Sequence, residues 1–516
     1  MSATTHTGFS TGEGPRVSWR GWVALAVLML PVLLVSVDNT VLSFALPQIA
    51  LDLEPTSAQQ LWISDSYPLV LASLLVTMGT LGDRIGRRKL LMIGSIGFAA
   101  VSALAAFAPT AELLIAARAL LGVFGAMLMP STLSLLRTIF LDREQRRLAI
   151  AIWATGFSAG AALGPIVGGL LLEHFWWGSV FLMAVPVLVP LVILVPLLVR
   201  ESRDPKPGRI DPISIFLSIA TMLPFVAGIK TLAVDGVASL GIPAILLGLG
   251  AGWVFVRRQL RANEPMLDVR LFRKGAFSGA ILVNLLSVIG LVGFLYFVAQ
   301  HLQLILGMSP LEAGIALLPG LVVMIIAGLG VVPIARRVSP RIVVPIALMF
   351  SVLGYLLVAV SSQDGALPTL IAAFIVLGIG IGAAETISNE LVLSSAPASK
   401  AGAASAVSET AYELGAVLGT TMLGGILTAS YRTNLVVPAG VPVEGAMQAR
   451  ETLGGAVAVS ETLEPALGEQ LMQAAAHAFD GGVVITSLIG AALMITAAVI
   501  AAVSLRGTRN RAKGAS

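Results

Sequence analysis

The sequence predicts an all-α integral membrane protein with 14 transmembrane helices, and three observations carry that expectation. Hydrophobic residues make up 57% of the 516 and charged residues 12%, about half the charged share of a soluble domain; the mean hydropathy is +0.93. Apolar runs long enough to cross a bilayer recur along the whole chain. Lys and Arg gather in the short gaps between these runs. There is no cysteine, which excludes disulfides and thiolate metal sites.

Taken in order, the span cores fall near 22–47, 60–81, 90–108, 112–136, 148–172, 177–199, 212–231, 239–256, 276–300, 311–335, 342–361, 368–392, 403–428 and 482–504. The first run is longer than the apolar core of a cleavable signal peptide, so it is read as a span. An even number of spans puts both termini on one side. Of 32 Lys and Arg, that side collects all but Arg118, inside a span, and Lys230, Arg432 and Arg450, opposite. Positive residues mark the cytoplasmic side, so both termini are expected there. The net charge of +4 therefore reflects topology, and no nucleic-acid partner is expected.

One connection is long. Residues 430–480 carry Glu444, Glu451, Glu461, Glu464 and Glu469 and are expected to form an extracellular, partly helical loop, in which GEQLMQAAAHAF makes a short amphipathic helix. The turn GTLGDRIGRRK after span 2 is echoed by ARRVSPR after span 10, and GPIVGG in span 5 by GAVLGTTMLGG in span 13. Such parallel echoes suggest two six-span halves with spans 7 and 8 inserted between them. The expected division is a cytoplasmic tail (1–20), a six-helix bundle (21–200), two inserted helices with a linker (201–274), a second six-helix bundle (275–505) and a tail (506–516).

Ionisable side chains at bilayer depth cost about 2.5–3.5 kcal/mol each, so those that persist usually act. Asp38, Asp65, Glu409 and Glu413 all lie within spans. Arg118 is read as the only cation deep in the membrane; a guanidinium keeps its proton and needs a partner, for which Asp38 on span 1 is the candidate. Glu409 and Glu413 are four apart and share a helical face, with Gly415 and Gly419 nearly opposite. The glycines can pack on a neighbour while the acids face a cavity. Two such carboxylates repel when both are ionised, so a proton held between them would be displaced by an arriving cation. The four histidines, His6, His174, His301 and His477, lie outside spans or at their edges, and no metal or other cofactor is expected.

Two backbone-shaping patterns stand out. Gly79, Gly82, Asp83, Arg84, Gly86, Arg87 and Arg88 follow an ordered G-x-L-G-D-R-x-G-R-R scheme that a plain basic loop does not require, and a gating turn is expected. In span 5, Gly156, Gly160, Gly164 and Gly168 recur every four residues, with Gly169 following and Pro165 kinking the rod; this stripe allows near-backbone helix contact. For a cationic ligand the aromatic candidates are Trp62 and Tyr67 flanking Asp65, Tyr412 beside Glu413, and Trp153, Phe157, Phe294, Tyr296 and Phe297. Met127 and Met129 could add adaptable packing. Glu385 and Glu390 in span 12 are weaker candidates.

Over nearly its full length the chain resembles the fourteen-span drug:proton antiporters of the major facilitator superfamily. The resemblance rests on DNTVL, LWISDSY, MGTLGDRIGRRK, ARALLGVFGAMLMPSTLSL, GPIVGGLLLEHF and SETAYELGAVLG. It implies the major facilitator fold, two six-helix bundles plus two inserted helices, and export of lipophilic cations in exchange for protons: quaternary ammonium compounds, ethidium and acridine dyes, and fluoroquinolones. It further implies a multi-pass plasma-membrane protein, expected as a monomer, with Arg118 and Asp38 in proton coupling. It also implies functional roles for Asp65, Glu409 and Glu413, and an exporter's motif at Gly160, Gly164, Pro165, Gly168 and Gly169. Some relatives carry an acid within span 10; here that span has only Glu312, near its outer end, which weighs against divalent substrates. An importer shares most of these features and lacks the exporter's motif. An enzyme is not expected, because no nucleophile–base pair, metal cluster or phosphate loop is present.

Overall fold

The computed structural model describes residues 17–203, 211–235, 239–262, 265, 267, 269–364, 367–395 and 401–505. The expected tail at 506–516 and all but the last four residues of 1–20 lie outside them. Every regular element among the described residues is a helix, and no strand occurs among them.

The first bundle comprises α1 (Trp19–Leu53), α2 (Ser57–Ile85), α3 (Arg87–Ala106), α4 (Ala111–Ile139), α5 (Arg143–His174), and a sixth span broken into α6 (Ser179–Leu182) and α7 (Ala184–Leu198). Next come α8 (Pro212–Asp235) and α9 (Gly241–Arg261), a hairpin. The second bundle holds α10 (Gly275–Gln300), α11 (Pro310–Arg337), α12 (Pro340–Asp364), α13 (Leu367–Ser395), α14 (Ala401–Leu418) continuing as α15 (Gly425–Asn434), and α18 (Pro465–Ser504). A π-helical turn, Gly419–Gly424, joins α14 to α15, and the short helices α16 (Val443–Glu451) and α17 (Leu453–Thr462) link α15 to α18.

Thirteen of these segments are long and apolar enough to cross a membrane among the described residues. The remaining expected span is α5, which is 32 residues long. Two starts are fixed by capping boxes, Thr56 with Gln59 and Ser309 with Glu312. Glu312 is thus occupied as a cap of α11.

The amphipathic run expected to stand alone is instead the first part of α18, a single helix of 40 residues. Leu471, Ala475, Ala478 and Phe479 are buried in helical register with Gly482 and Val483, so one apolar stripe carries the helix across the junction. The connection outside helices α15 and α18 shrinks to 435–464.

One end of the molecule carries residues 17 and 505 and the α2–α3 turn; the far end carries 435–464. At the far end the bundles meet. Gln303 donates to the Phe44 carbonyl at 3.1 Å, and Ser57 donates to the Glu451 carboxylate at 2.9 Å. A Cβ added to Gly169 would lie 2.7 Å from Leu311 Cα, so α5 and α11 touch backbone to backbone.

The hairpin α8–α9 is asymmetric. Leu246, Leu247, Leu249 and Trp253 of α9 are exposed, as a lipid-facing helix requires. Helix α8 lies across the seam: Val226 packs with Leu69 of α2 and Val417 of α14, and Phe225 against Ile289, Leu418 and Leu423.

Candidate functional site: two buried ion pairs on one turn of α2

The sequence places acids in α1, α2 and α14; the fold brings them to the seam between bundles. Asp38 accepts a hydrogen bond from Arg118 Nη1 at 2.7 Å, with both residues buried. Arg118 Nε also donates to the Ile63 carbonyl at 3.1 Å and Nη2 to the Ser64 carbonyl at 3.5 Å. Pro68 explains the second acceptor: it has no N–H to offer the Ser64 carbonyl four residues back, so that oxygen is released from the helix ladder. The guanidinium lies 4.8 Å from the centre of the Tyr67 ring and 5.8 Å from that of Phe181. Tyr67, expected beside Asp65, therefore belongs to Arg118.

Asp65 has a partner that the sequence reading missed. Lys230 of α8 reaches it with Nζ 2.9 Å from Oδ2 and is only 2% exposed. This corrects the expectation that Arg118 is the only deep cation. At the end of an apolar run Lys230 reads as a boundary residue on the opposite aqueous side, yet its ammonium is buried against Asp65. The ammonium also donates to the Leu61 carbonyl at 3.0 Å and lies 3.8 Å from the centre of the Trp62 ring. Thr421, in the π-helical turn of the second bundle, donates to the same carboxylate oxygen at 2.6 Å. Residues 61–65 of α2 thus hold both buried cations.

Glu413 closes the seam from the other side. Its Oε1 accepts from Asn39 of α1 at 3.4 Å, and its Oε2 has no hydrogen-bond partner among the described residues. Gly415 and Gly419 face α10: added Cβ atoms would lie 3.0 Å from the Leu285 carbonyl oxygen and 2.8 Å from that of Ile289. The glycine face packs and the acid face looks toward the first bundle, as the spacing requires. Glu409 and Tyr412 lie on α14 beside Glu413 and are partly exposed. Glu385 of α13 is a further acid whose Oε1 has no hydrogen-bond partner among the described residues. Glu390 is exposed.

The remaining aromatics divide. Trp153 donates to Thr132 of α4 at 3.2 Å. Phe294 stacks on Phe374 at 4.7 Å and meets Phe297 edge-on at 5.2 Å, which places that pair in the interior of the second bundle. Tyr296 packs at the far-end seam against Gly424. The Phe157 side chain lies outside the described residues. Met127 and Met129 are buried in α4.

The α5 stripe packs on the helix that carries Asp38. Gly160 meets Leu33 and Ser36, Gly164 meets Thr40 and Val37, and Gly168 meets Val41. Pro165 and Gly169 face α11: an added Cβ at Gly314 would lie 2.5 Å from the Pro165 carbonyl oxygen. The α2–α3 turn is fixed within the first bundle. Gly86 adopts φ +113°, a conformation that side-chain-bearing residues rarely take. Arg87 pairs with Asp83 at 2.7 Å. Glu201, which the sequence reading did not single out, accepts from the Arg88 and Lys89 backbone amides at 2.9 and 3.1 Å and so caps α3. Arg88 reaches the Val199 carbonyl at 3.1 Å. Gly79 and Gly82 lie beside Pro130 and Ser131 of α4; the exposed Arg84 has no ion-pair partner within the same set.

Two bundles of spanning helices around a seam of buried ion pairs have the form of a membrane transporter. The chain belongs to the Major Facilitator Superfamily, whose model matches residues 28–420. It is 57% identical to the multidrug efflux pump LfrA of Mycolicibacterium smegmatis, over 96% of this chain and 98% of that one. It is 37% identical to the methyl viologen resistance protein SmvA of Salmonella typhimurium, over 89% and 93%. Among solved structures it is similar in fold to a bacterial homologue of the human lysosomal transporter Spinster in an inward-facing, unoccupied conformation. That likeness has a TM-score of 0.65 at 18% identity and covers 93% of this chain and 97% of that one.

Proposed function

We propose that this protein exports lipophilic cations across the cell membrane in exchange for protons, with both termini in the cytoplasm. Glu413 carries the reading. It is buried at the seam, with one carboxylate oxygen that has no hydrogen-bond partner among the described residues. A buried, underpaired carboxylate is costly, and either a proton or an organic cation relieves that cost. Two ligands that satisfy one group exclude each other, which is the exchange an antiporter performs. Asp38 with Arg118 is the neighbouring charge pair through which protonation can be felt in α1, and the α5 stripe transmits movement of α1. Likeness to a multidrug efflux pump and a methyl viologen resistance protein supports cationic aromatic substrates, with Asp65, Trp62 and Tyr412 as their contacts. Quaternary ammonium compounds, ethidium and acridine dyes, and fluoroquinolones are the classes to try first.

The test is ethidium efflux from preloaded cells carrying the protein or an empty vector. Efflux should be faster with the protein and should collapse to the vector rate on adding a protonophore. Protein-dependent efflux that survives the protonophore would overturn proton coupling, and no protein-dependent efflux of any cationic dye would overturn the substrate class.

A further inference from the structure

The Lys230 ammonium lies in a site built as a receptor for an organic cation. It has a carboxylate at 2.9 Å, a carbonyl oxygen at 3.0 Å and an aromatic face at 3.8 Å. Those are the three groups by which proteins hold ammonium ligands in low-dielectric surroundings: charge, hydrogen-bond acceptor and π-face. All three come from residues 61–65 of α2, whereas the lysine comes from α8, outside both six-helix bundles. We infer that Lys230 is a tethered internal cation that fills the Asp65–Trp62–Leu61 site in the substrate-free protein and is displaced when a monovalent lipophilic cation binds there. The inference rests on the export of cations proposed above and adds a competitor to it.

Three features support a displaceable occupant over a fixed clasp. Helix α8 is held elsewhere without the pair, through Val226 against Leu69 and Val417, and through Ser218 donating to the Ser73 carbonyl at 3.3 Å. Lysine is a compact ion on a flexible stem and can withdraw without moving its helix. Thr421 stays on Asp65 from the second bundle at 2.6 Å, so the carboxylate keeps one donor after the ammonium leaves. The consequence is selectivity. A substrate must replace the ammonium's charge and its contact with Trp62 together, which an aromatic or bulky apolar cation does and a small hydrated one does not. Arg118 bonds the Ile63 and Ser64 carbonyls of the same turn, so occupation of the site is also sensed beside Asp38.

Binding of tetraphenylphosphonium and ethidium to the purified protein tests this. K230M should bind each on the order of tenfold tighter or better, since the internal competitor is gone. The K230M/D65N protein, which leaves no unpaired charge, should lose the gain. A folded K230M protein with unchanged or weaker affinity would overturn the inference. A second readout uses the wild-type protein and is independent of any folding defect. Reductive methylation of Lys230, followed by mass spectrometry, should rise on adding tetraphenylphosphonium, and labelling that is unchanged or lower would also overturn the inference. Wild-type protein that binds and exports cations while Lys230 fails both tests retains the proposed function. Wild-type protein that neither binds nor exports them loses both.

Discussion

Asp38 and Arg118 form a pair in which each charge depends on the other. The other acceptors around Arg118 are carbonyl oxygens of α2, so among the described residues the Asp38 carboxylate is the ion-pair partner that offsets its charge. Removing one member of a buried pair costs about 3–5 kcal/mol. Asp38→Asn keeps an acceptor oxygen and the shape while discharging the pair. Efflux of every cationic substrate should fall at least about a hundredfold, with protein still found in the membrane by blotting. Wild-type efflux in this variant would remove Asp38 from the mechanism. Glu413 gives a second prediction at this scale. If a proton and a drug compete there, each weakens the other's binding by the same factor. Drug affinity of the purified protein should therefore rise from about pH 5.5 to 8.5, and Glu413→Gln should flatten that rise by removing the shared group. A slope that survives both Glu409→Gln and Glu413→Gln would move the exchange to Asp38.

Helix α5 shows what a repeating small residue does at the scale of an element. An added Cβ at Gly160 would already lie 3.0 Å from the Leu33 carbonyl oxygen, so any larger side chain pushes α1 away. Overpacking of this kind costs about 1–3 kcal/mol, and here it would displace the helix that carries Asp38. Gly160→Leu should abolish efflux, whereas Leu163→Ala, at an exposed position of the same helix, should leave it within about twofold. Equal effects of the two changes would mean that close packing of α1 and α5 is not needed. The stripe itself was legible because helix contact leaves a four-residue period in the sequence. The spans were legible for the same kind of reason, since hydropathy is local. The Asp38–Arg118 pair was found because the first bundle's partners lie on neighbouring spans and both charges stand out against apolar runs. Lys230 was not, because the pairing joins residues 165 positions apart through a helix outside the two repeats, and a lysine at the end of an apolar run looks like a boundary. Glu201 was hidden likewise: its ligands are backbone amides, which no side-chain pattern announces. Phe294 and Phe297 show the reverse limit. Aromatic identity says nothing of direction, and their rings turned into the second bundle.

At the scale of the whole molecule, the two bundles are in contact at the far end. Phe44 with Gln303, Ser57 with Glu451, and α5 with α11 all lie there. A transporter that serves both sides of a membrane from one central seam must open that end in part of its cycle, largely by rocking one bundle against the other. Ser57 begins α2 in the first bundle, and Glu451 ends α16 in the segment tied to the second; their side chains approach to 2.9 Å. The natural chain contains no cysteine, so a cysteine pair introduced there has no native thiol to mispair with. In the Ser57→Cys/Glu451→Cys protein, oxidation should form one disulfide, visible as a mobility shift, and stop efflux. A reductant should restore most of the rate, and each single cysteine variant should be insensitive to the oxidant. Efflux that continues at its reduced rate after complete crosslinking would show that the far end need not part at this contact, and that substrate leaves by another path.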